Sequence, residues 1–462
     1  MTQIQHLVEQ ALAASTSDGC MVLAEEHTET NLRWATNGLT TNGQMRTRSI
    51  TVISTVDGAG GTGAGVLTRA VTTEDELLEL VRAADGAARD ASPADDSAPL
   101  VENYEHGDDW DSDPAETSVG VFEQFAPALG KVFDTWTKAD RLLFGFAEHH
   151  MTSTYLGTST GLRRRFDQPD GRVEINGKSA DYAQSAYVDR HTNDFTDIDA
   201  DALTDSLLQR LDWADRRIDL PAGRYETILP PGAVAAFMIN AYWSASARDA
   251  EEGRSVFSGG AGKDTRIGES LSPHPLRLYS DPSYPGLECS PFPIVPASAF
   301  GVFSVFDNGY PTAATDWMSE GRLTNLVRPR GWAARTNAEP KPAIENLILD
   351  GGGTADLNDM IASTERALLL TTLWYIREVD PQTLLATGLT RDGVYLVENG
   401  AVQGAVNNFR FNESPIDLLG RVTEVGRTVP AMSREWNDWF RRTAMPPLRI
   451  RDFNMSTVSK AS

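Results

Sequence analysis

The stretch PPGAVAAFMINAYWSA, residues 230–245, constrains the fold more strongly than any other part of the chain. It opens with prolines, as many helices do, and no Asp, Glu, His, Lys or Arg occurs between Glu226 and Arg248. Apolar side chains, from Val234 to Trp243, point in nearly every direction around such a helix. A helix that is apolar all round is a buried one, so we predict that this segment lies in a core.

The length and composition indicate a large globular protein. At 462 residues the chain exceeds what one core usually organises, and its 40% apolar and 23% charged residues are typical of soluble proteins. No run approaches the roughly 18 apolar residues of a membrane span. The start, MTQIQHLVEQALAAS, has no basic segment and is more like an amphipathic helix than a signal peptide, so we expect a cytoplasmic protein.

The net charge of −24 is concentrated in the first 220 residues, which hold 38 acidic and 18 basic side chains. This asymmetry predicts a domain boundary near residue 220. An acidic surface repels phosphate backbones and anionic lipids, so neither nucleic acid nor a membrane is an expected partner. The two cysteines, Cys20 and Cys289, cannot form a thiolate metal site alone, and we expect both to be reduced.

Sequence patterns predict an α+β fold in two domains. In residues 1–220, alternating segments such as QMRTRSITVISTV are typical of half-buried antiparallel strands, and helical patterns accompany them, one with a Thr73 to Glu76 capping box. We predict a mixed antiparallel sheet with helices there, with an acidic connection at about 90–118 and a helix starting at Asp113-Pro114. Residues 221–462 are predicted to form a β-rich, barrel-like domain with helices.

Two glycine motifs match well-known signatures without their structural context. GAGGTG, residues 58–63, fits a dinucleotide-binding pattern, but a strand-like segment follows where that site needs a helix. GTSTG, residues 157–161, places Ser159 as in a nucleophile elbow, yet the residues after it are also strand-like. We therefore predict plain turns at both positions.

Glu148, His149 and His150 contain the only adjacent pair of histidines. Neighbours on a strand point to opposite faces, so only Glu148 and His150 can share a face. A metal site there would need a third ligand, such as His191. Structural, hydrogen-bonded histidines are the other interpretation, and the sequence leaves both open.

Several segments of the C-terminal half resemble the TldD/PmbA family, also called the TldD/TldE metallopeptidases or modulators of DNA gyrase. Their order and spacing make the resemblance specific, and it extends to NLRWATN and LGTSTGL in the N-terminal part. The C-terminal segments are FDNGYPTAATDWMSEGRLTNLV, LILDGGGTADLNDMIASTERALLLTT, EVDPQTLLATGLTRDGVYLVENGAVQGAV, ESPIDLLGRVTEVGR and PPLRIRDFNMS.

Members of this family are of two kinds, which pair as a heterodimer. The TldD kind holds a catalytic zinc with an H-E-x-x-x-H helix, which shortly precedes a serine-phenylalanine-serine-glycine-like stretch, and with a late cysteine. Here SVFSGG at residues 255–260 aligns that helix with the opening stretch and puts Met238, Ile239 and Trp243 near the ligand positions. The stretch has neither His nor Glu, and Cys289 is the last thiol.

The resemblance therefore implies a TldE/PmbA-like subunit with no catalytic residues, metal ligands or cofactor of its own. Its implied partners are a zinc-containing TldD-type subunit and an unfolded peptide, which the pair encloses for proteolysis. Two alternatives stay open. One is a peptide-binding or regulatory module without a peptidase partner, and the other is an autonomous hydrolase with a metal site rebuilt around Glu148 and His150.

Two glycine loops of the matching segments are candidates for the peptide groove or the partner interface. They contain Asn308 and Gly309 in FDNGYPT, and Gly351, Gly352 and Gly353 in DGGGT. Exposed glycine loops let another backbone approach closely, although the same residues are also common in structural turns.

Overall fold

The computed structural model describes residues 3–102, 109–260 and 263–459. The strands of these residues form three sheets, of which the first contains β1 to β6 in the order β3-β2-β1-β4-β5-β6, all antiparallel. Its elements are α1 (Ile4–Ala14), β1 (Gly19–Ala35), β2 (Gly38–Gly58), β3 (Gly61–Arg69), α2 (Glu74–Asp90), α3 (Phe125–Lys138), β4 (Arg141–Thr158), β5 (Arg163–Ser179), β6 (Ser185–Thr192) and α4 (Ala200–Trp213).

All four of these helices cover one face of the first sheet. Side chains at even positions of β1, such as Val22 and Trp34, pack under them, as do Leu143 and Ala147 of β4. Odd positions, such as Met21 and Leu23, point to the other face and pack against apolar residues of the segment 292–306. The first sheet is therefore covered by its own helices on one side and by the C-terminal half of the chain on the other.

The C-terminal half contains two further sheets. One has the order β14-β15-β18-β22-β8-β13-β16-β17-β7, with β19 paired to β22, and the other has the order β11-β10-β9-β12-β21-β20. The strands are β7 (Arg217–Ile218), β8 (Gly223–Leu229), β9 (Arg277–Ser280), β10 (Thr315–Ser319), β11 (Arg322–Leu323), β12 (Leu347–Asp350), β13 (Arg366–Leu370), β14 (Leu373–Asp380), β15 (Leu385–Thr390), β16 (Val394–Glu398), β17 (Ala401–Val406), β18 (Phe409–Glu413), β19 (Val422–Val425), β20 (Val429–Ala431), β21 (Thr443–Met445) and β22 (Leu448–Val458).

Five helices accompany these strands in the described residues. They are α5 (Pro231–Trp243), α6 (Ala247–Glu251), α7 (Arg330–Thr336), α8 (Leu357–Ala362) and α9 (Pro415–Leu419). One large apolar cluster contains most of α5 together with side chains of both C-terminal sheets, for example Met318 of β10 and Phe411 of β18. The predicted core helix is confirmed, and so is the α+β, β-rich fold. The predicted boundary at residue 220 stays a prediction.

Most of the local predictions hold, and one is wrong. Thr73 and Glu76 form the capping box of α2, and GAGGTG and GTSTG form turns between strands. The helix predicted to start at Asp113-Pro114 does not form: residues 113–118 have no regular secondary structure, and a short 3₁₀ turn at Val119–Phe122 precedes α3. The backbone N–H groups of Ala115 and Thr117 instead donate to the Ser153 and Thr28 hydroxyls of the sheet.

Part of the predicted acidic connection, residues 103–108, lies outside the described residues. The described residues include no helix that is long and apolar enough to cross a membrane.

Helix α2 packs unusually close to β3 at Gly65. A Cβ atom there would lie 2.2 Å from the carbonyl oxygen of Ala84 and 2.4 Å from the nitrogen of Ala88, both backbone atoms of α2. We expect Gly65→Ala to lower the free energy of unfolding by ~1–3 kcal/mol, because helix and strand must move apart. Denaturant unfolding measures the change.

A second glycine offers a matched control. Gly86 lies within α2, and a Cβ atom there would meet nothing within 4 Å. Gly86→Ala should raise the free energy of unfolding by ~0.5–1 kcal/mol, because alanine is the better helix former. Equal effects of the two substitutions would contradict the packing described here.

Candidate functional site

The helix α5 is buried on every side. Met238 and Ile239 have no exposed surface, and Phe237 lies edge-on to the rings of Phe411 and Phe453. Trp243, at the last turn, is half-buried, and its ring lies 5.3 Å from that of Trp436. The helix offers no imidazole, carboxylate or thiolate at any of these positions.

The surroundings of Met238 do not supply zinc ligands either. A cavity of about 30 Å³ beside Met238 and Tyr242 is lined almost wholly by apolar side chains, including Leu278 and Trp317. The Tyr242 hydroxyl is held by the backbone of Ile344, to which it donates at 3.0 Å and from which it accepts at 2.7 Å. Catalytic zinc needs about three N, O or S ligands and an open position, so the residues around α5 do not fit it.

Cys289 does not replace the family's late cysteine. It is buried, and burial raises the pKa of its thiol to about 12, so the thiol stays protonated and is a poor metal ligand. The assignment of Met238, Ile239 and Trp243 to the lost ligand positions rests on their spacing from SVFSGG in the sequence and stays a prediction.

A cleft of about 260 Å³ opens at the N-terminal end of α5, between the first sheet and the C-terminal half. Strand β6 lines one wall with residues 187–190, and β20 lines the other with residues 429–431. Both strands are at the edges of their sheets among the described strands. The cleft therefore lies between two rows of backbone groups that have no ladder partner on this side.

Charged groups of both signs line this cleft. Arg190 and Arg427 are exposed at its rim, whereas Arg434 is tied to the Asp392 carboxylate and stacks over the Tyr187 ring at 4.1 Å. Desolvation, with a contribution from the Glu174 carboxylate, raises the pKa of Asp189 to about 7. The cleft thus combines exposed positive charge with the backbone of two sheet edges, which suits an extended polypeptide.

Asn308 and Gly309 are buried, so the exposure assumed for this loop is wrong. The Asn308 amide accepts from the Val295 N–H at 2.6 Å and donates to the Val295 carbonyl at 2.9 Å. A Cβ atom at Gly309 would lie 2.3 Å from the Leu162 side chain, and this glycine has φ of +78°. Asn308 therefore ties the segment 292–309 to itself, and Gly309 packs against Leu162 in the turn between β4 and β5.

In the other glycine loop, residues 351–353, neighbouring parts of the same chain leave no room for a side chain at two of the three glycines. Cβ atoms at Gly351 and Gly353 would collide with Val425 and the backbone of Gly426, whereas Gly352 is exposed and open, with φ of +69°. The loop leads within three residues to Asp356, which lines the cleft. A contact of these glycines with a peptide or partner stays a prediction.

The structure separates the three residues of the Glu148-His149-His150 run. His149 points to the helix face, where it bonds the Thr117 hydroxyl and the Asn193 carbonyl at 2.7 Å each. Glu148 and His150 share the opposite face, as predicted, but His191 instead contacts Asp170 at 3.1 Å.

The side chains that do approach His150 are His27 and Glu29 of β1. The alternation of β1 puts both of them on one face, but only the register of β1 against β4 brings them to His150.

Comparison with known proteins places this geometry in a family. Residues 222–457 match the PmbA/TldA metallopeptidase C-terminal domain. The chain belongs to the PmbA/TldD family. No curated protein sequence matches it significantly.

Solved structures with similar folds cover nearly the whole chain. TldE from Thermococcus kodakarensis has a TM-score of 0.78 at 15% identity, over 97% of this chain and 99% of its own. A protein described as a modulator of a DNA gyrase from Thermotoga maritima has a TM-score of 0.73 at 15% identity, over 97% and 99%. A similarly described protein from Bacteroides thetaiotaomicron has 0.72 at 14%, over 98% of each chain. The family's fold therefore spans both halves.

The burial of α5 predicts that the family's zinc motif cannot simply be restored. We expect Met238→His, Ile239→Glu and Trp243→His together to lower the free energy of unfolding by at least ~3 kcal/mol, because polar groups replace close-packed ones. Denaturant unfolding and metal analysis of the purified triple variant test this. The volume-conserving Met238→Leu serves as the control and should cost less than ~1.5 kcal/mol. Zinc-dependent cleavage by the triple variant alone would contradict the prediction.

Asp307, beside Asn308, should make stability depend on pH. It is 2% exposed, and burial raises the pKa of its carboxyl to about 7 despite a hydrogen bond from the Arg330 N–H. A raised folded-state pKa means that the native state holds the proton more tightly. Its contribution is therefore complete below the ordinary pKa near ~4 and is lost as the pH rises through about 7.

Asp307→Asn should remove this contribution. We expect the free energy of unfolding of the parent protein to fall relative to that of the variant between about pH 5 and about pH 8. Denaturant unfolding of both proteins at the two pH values measures the difference. Asp134→Asn, on the exposed side of α3, is the control and should follow the parent protein. Parallel profiles for Asp307→Asn and the parent would refute the assignment.

Proposed function

We propose that this chain is the non-catalytic, TldE/PmbA-like subunit of a heterodimeric TldD/TldE zinc metallopeptidase, and that it binds unfolded peptide and helps to enclose it for proteolysis. One observation carries the proposal: within a PmbA/TldD-type domain, α5 has no Asp, Glu, His, Cys, Lys or Arg side chain and is buried on all sides. Such a helix supplies no zinc ligand, and binding is the contribution to proteolysis that we assign to this subunit. The catalytic zinc is then expected in the TldD-type partner.

The cleft at the start of α5 supports a role in peptide binding. An extended peptide in this cleft could exchange backbone hydrogen bonds with the open edge of β6 or of β20. Such bonds recognise the main chain and not the sequence, which suits a subunit that receives unfolded polypeptide of varied composition. Arg190 and Arg427 at the rim would attract carboxylates of the peptide.

Enclosure by a second subunit would add to this binding. A groove closed on both sides excludes water and strengthens the hydrogen bonds inside it, so a subunit without chemistry of its own can raise the rate at its partner's metal. The net charge of −24 is compatible with this role, because polypeptide carries no repeating phosphate charge.

Co-expression tests the proposal directly. This chain, carrying the only tag, is expressed with a TldD-type chain that contains H-E-x-x-x-H, and the purified material is analysed for mass, zinc and cleavage of fluorescein-labelled casein. We expect a zinc-containing heteromer that cleaves, and a single chain that does not. Zinc-dependent cleavage by the single chain would instead support the autonomous hydrolase, and peptide binding without assembly would support the regulatory module.

A bulky side chain in the cleft should separate binding from assembly. Ser206 of α4 lines the cleft, whereas Gln209 lies on the exposed side of the same helix. We expect Ser206→Trp to reduce cleavage by the heteromer at least ~10-fold by occupying the peptide's place, while Gln209→Trp leaves it unchanged. Size-exclusion chromatography checks that both variants assemble. Full cleavage by an assembled Ser206→Trp variant would exclude this cleft as the peptide site.

A further inference from the structure

Two histidines from distant parts of the chain face each other on the first sheet. His27 of β1 lies directly across from Thr152 of β4, and Glu29 lies directly across from His150. This register brings Nε2 of His27 to 3.2 Å from Nδ1 of His150, and Oε2 of Glu29 to 3.9 Å from the same Nδ1. One donor atom from each of the three side chains lies within 4.8 Å of the other two.

Each of these side chains has a second polar group beside it. Nδ1 of His27 is hydrogen-bonded to the Thr152 hydroxyl at 2.9 Å, and the Asn31 amide donates to Oε1 of Glu29 at 3.2 Å, which leaves Oε2 toward the histidines. Nε2 of His150 lies 3.2 Å from Oε1 of Glu148 without hydrogen-bonding geometry. Metal-binding histidines and carboxylates are typically held by a hydrogen bond on the atom that does not face the metal, as His27 and Glu29 are here.

We propose that His27, His150 and Glu29 bind a divalent transition-metal ion of the class that includes Zn²⁺, Co²⁺ and Ni²⁺. Two imidazoles and one carboxylate are ligands that such ions favour. Bonds of about 2.0–2.1 Å in a tetrahedron place neighbouring ligand atoms about 3.3–3.4 Å apart, close to the distance between the two facing nitrogens. A small rotation brings the Glu29 oxygen to the same range.

The hydrogen bond between His27 and Thr152 is compatible with both an empty and an occupied site. If the Thr152 hydroxyl donates to His27, the His27 Nε2–H can donate to His150 when no ion is bound. If that hydroxyl rotates to accept instead, both facing nitrogens present lone pairs to a metal. The two forms therefore differ in the rotation of the Thr152 hydroxyl and in the tautomer of His27, whose ring proton moves from Nε2 to Nδ1 by exchange with solvent.

The nearby arginines do not oppose a cation here, because carboxylates hold them. Arg172 and Arg441 contact Oε1 of Glu148 at 2.8 Å and 3.0 Å. Arg441 and Arg442 also contact Asp170, at 3.3 Å and 3.6 Å. Oε1 of Glu148 also lies 3.2 Å from Nε2 of His150, where the carboxylate can serve as a counter-charge to a metal-bound imidazole.

The site can be reached from solvent. A cavity of about 220 Å³ is lined by His27 and His150 on one side and by Trp439 and Arg441 on the other. Three protein ligands leave at least one coordination position free, and the cavity provides room for a water molecule or a small anion there. The site lies outside the peptide cleft, so it goes beyond the proposed function and does not depend on it.

Metal titration of the whole purified chain tests the proposal without any activity assay. After removal of metal with a chelator, we expect one equivalent of Co²⁺ to bind with the visible absorption of a four- or five-coordinate ion, and Zn²⁺ to displace it. His27→Gln and His150→Gln should each weaken binding by at least ~100-fold, and Glu148→Gln by ~10–100-fold. Circular dichroism of the metal-free variants confirms that they are folded.

His191→Gln is the matched control, because His191 lies on the same face but bonds to Asp170. This variant should still bind one equivalent of Co²⁺ with the same visible spectrum as the parent. Added Zn²⁺ should raise the melting temperature of the parent and of His191→Gln, but not that of His27→Gln. Absence of stoichiometric binding would overturn the proposal. So would binding that survives in folded His27→Gln and His150→Gln variants, or that His191→Gln abolishes to the same extent.

Discussion

The C-terminal half of this protein depends on the burial of one helix. Helix α5 has no charge to direct toward water, so both C-terminal sheets contribute apolar side chains to a single cluster around it. Phe237 packs toward β18 and β22, while Met238 faces the cavity beside β10. A catalytic metal helix must keep one polar face open to substrate and water. A helix that is buried on all sides has no such open face, so the burial of α5 and a catalytic zinc site on it are mutually exclusive.

The segment 432–442, between β20 and β21, contacts both α5 and the first sheet. Trp436 donates its indole N–H to the Ala236 carbonyl of α5 at 2.8 Å, and two residues later Asp438 contacts Arg172 of β5 at 2.8 Å. Arg441 then reaches Glu148 of β4. The cleft between β6 and β20 and the histidine cluster thus both border one short segment, which is anchored to the core helix at one end and to the first sheet at the other.

Local signals predicted the parts of the fold that local interactions determine. The helix at residues 230–245 follows from its lack of charge, the capping box from Thr73 and Glu76, and the two turns from strand-like residues that follow their glycines. The helix expected at Asp113 failed because hydroxyl groups of Thr28 and Ser153, distant in sequence, bind that backbone. Likewise, His27 and His150 are 123 residues apart, and only the register of β1 against β4 joins them.

The polar face of the first sheet explains how the two halves keep one alignment. Apolar packing at Met21 and Leu23 tolerates small shifts, whereas Arg441 of the C-terminal half pairs with Glu148 and Asp170 of the first sheet, and a shifted arrangement would break these ion pairs. Buried ion pairs add little net stability, because desolvation offsets their attraction, but an unpaired buried charge is costly. The network therefore selects one arrangement of the halves, and with it the width of the cleft between β6 and β20.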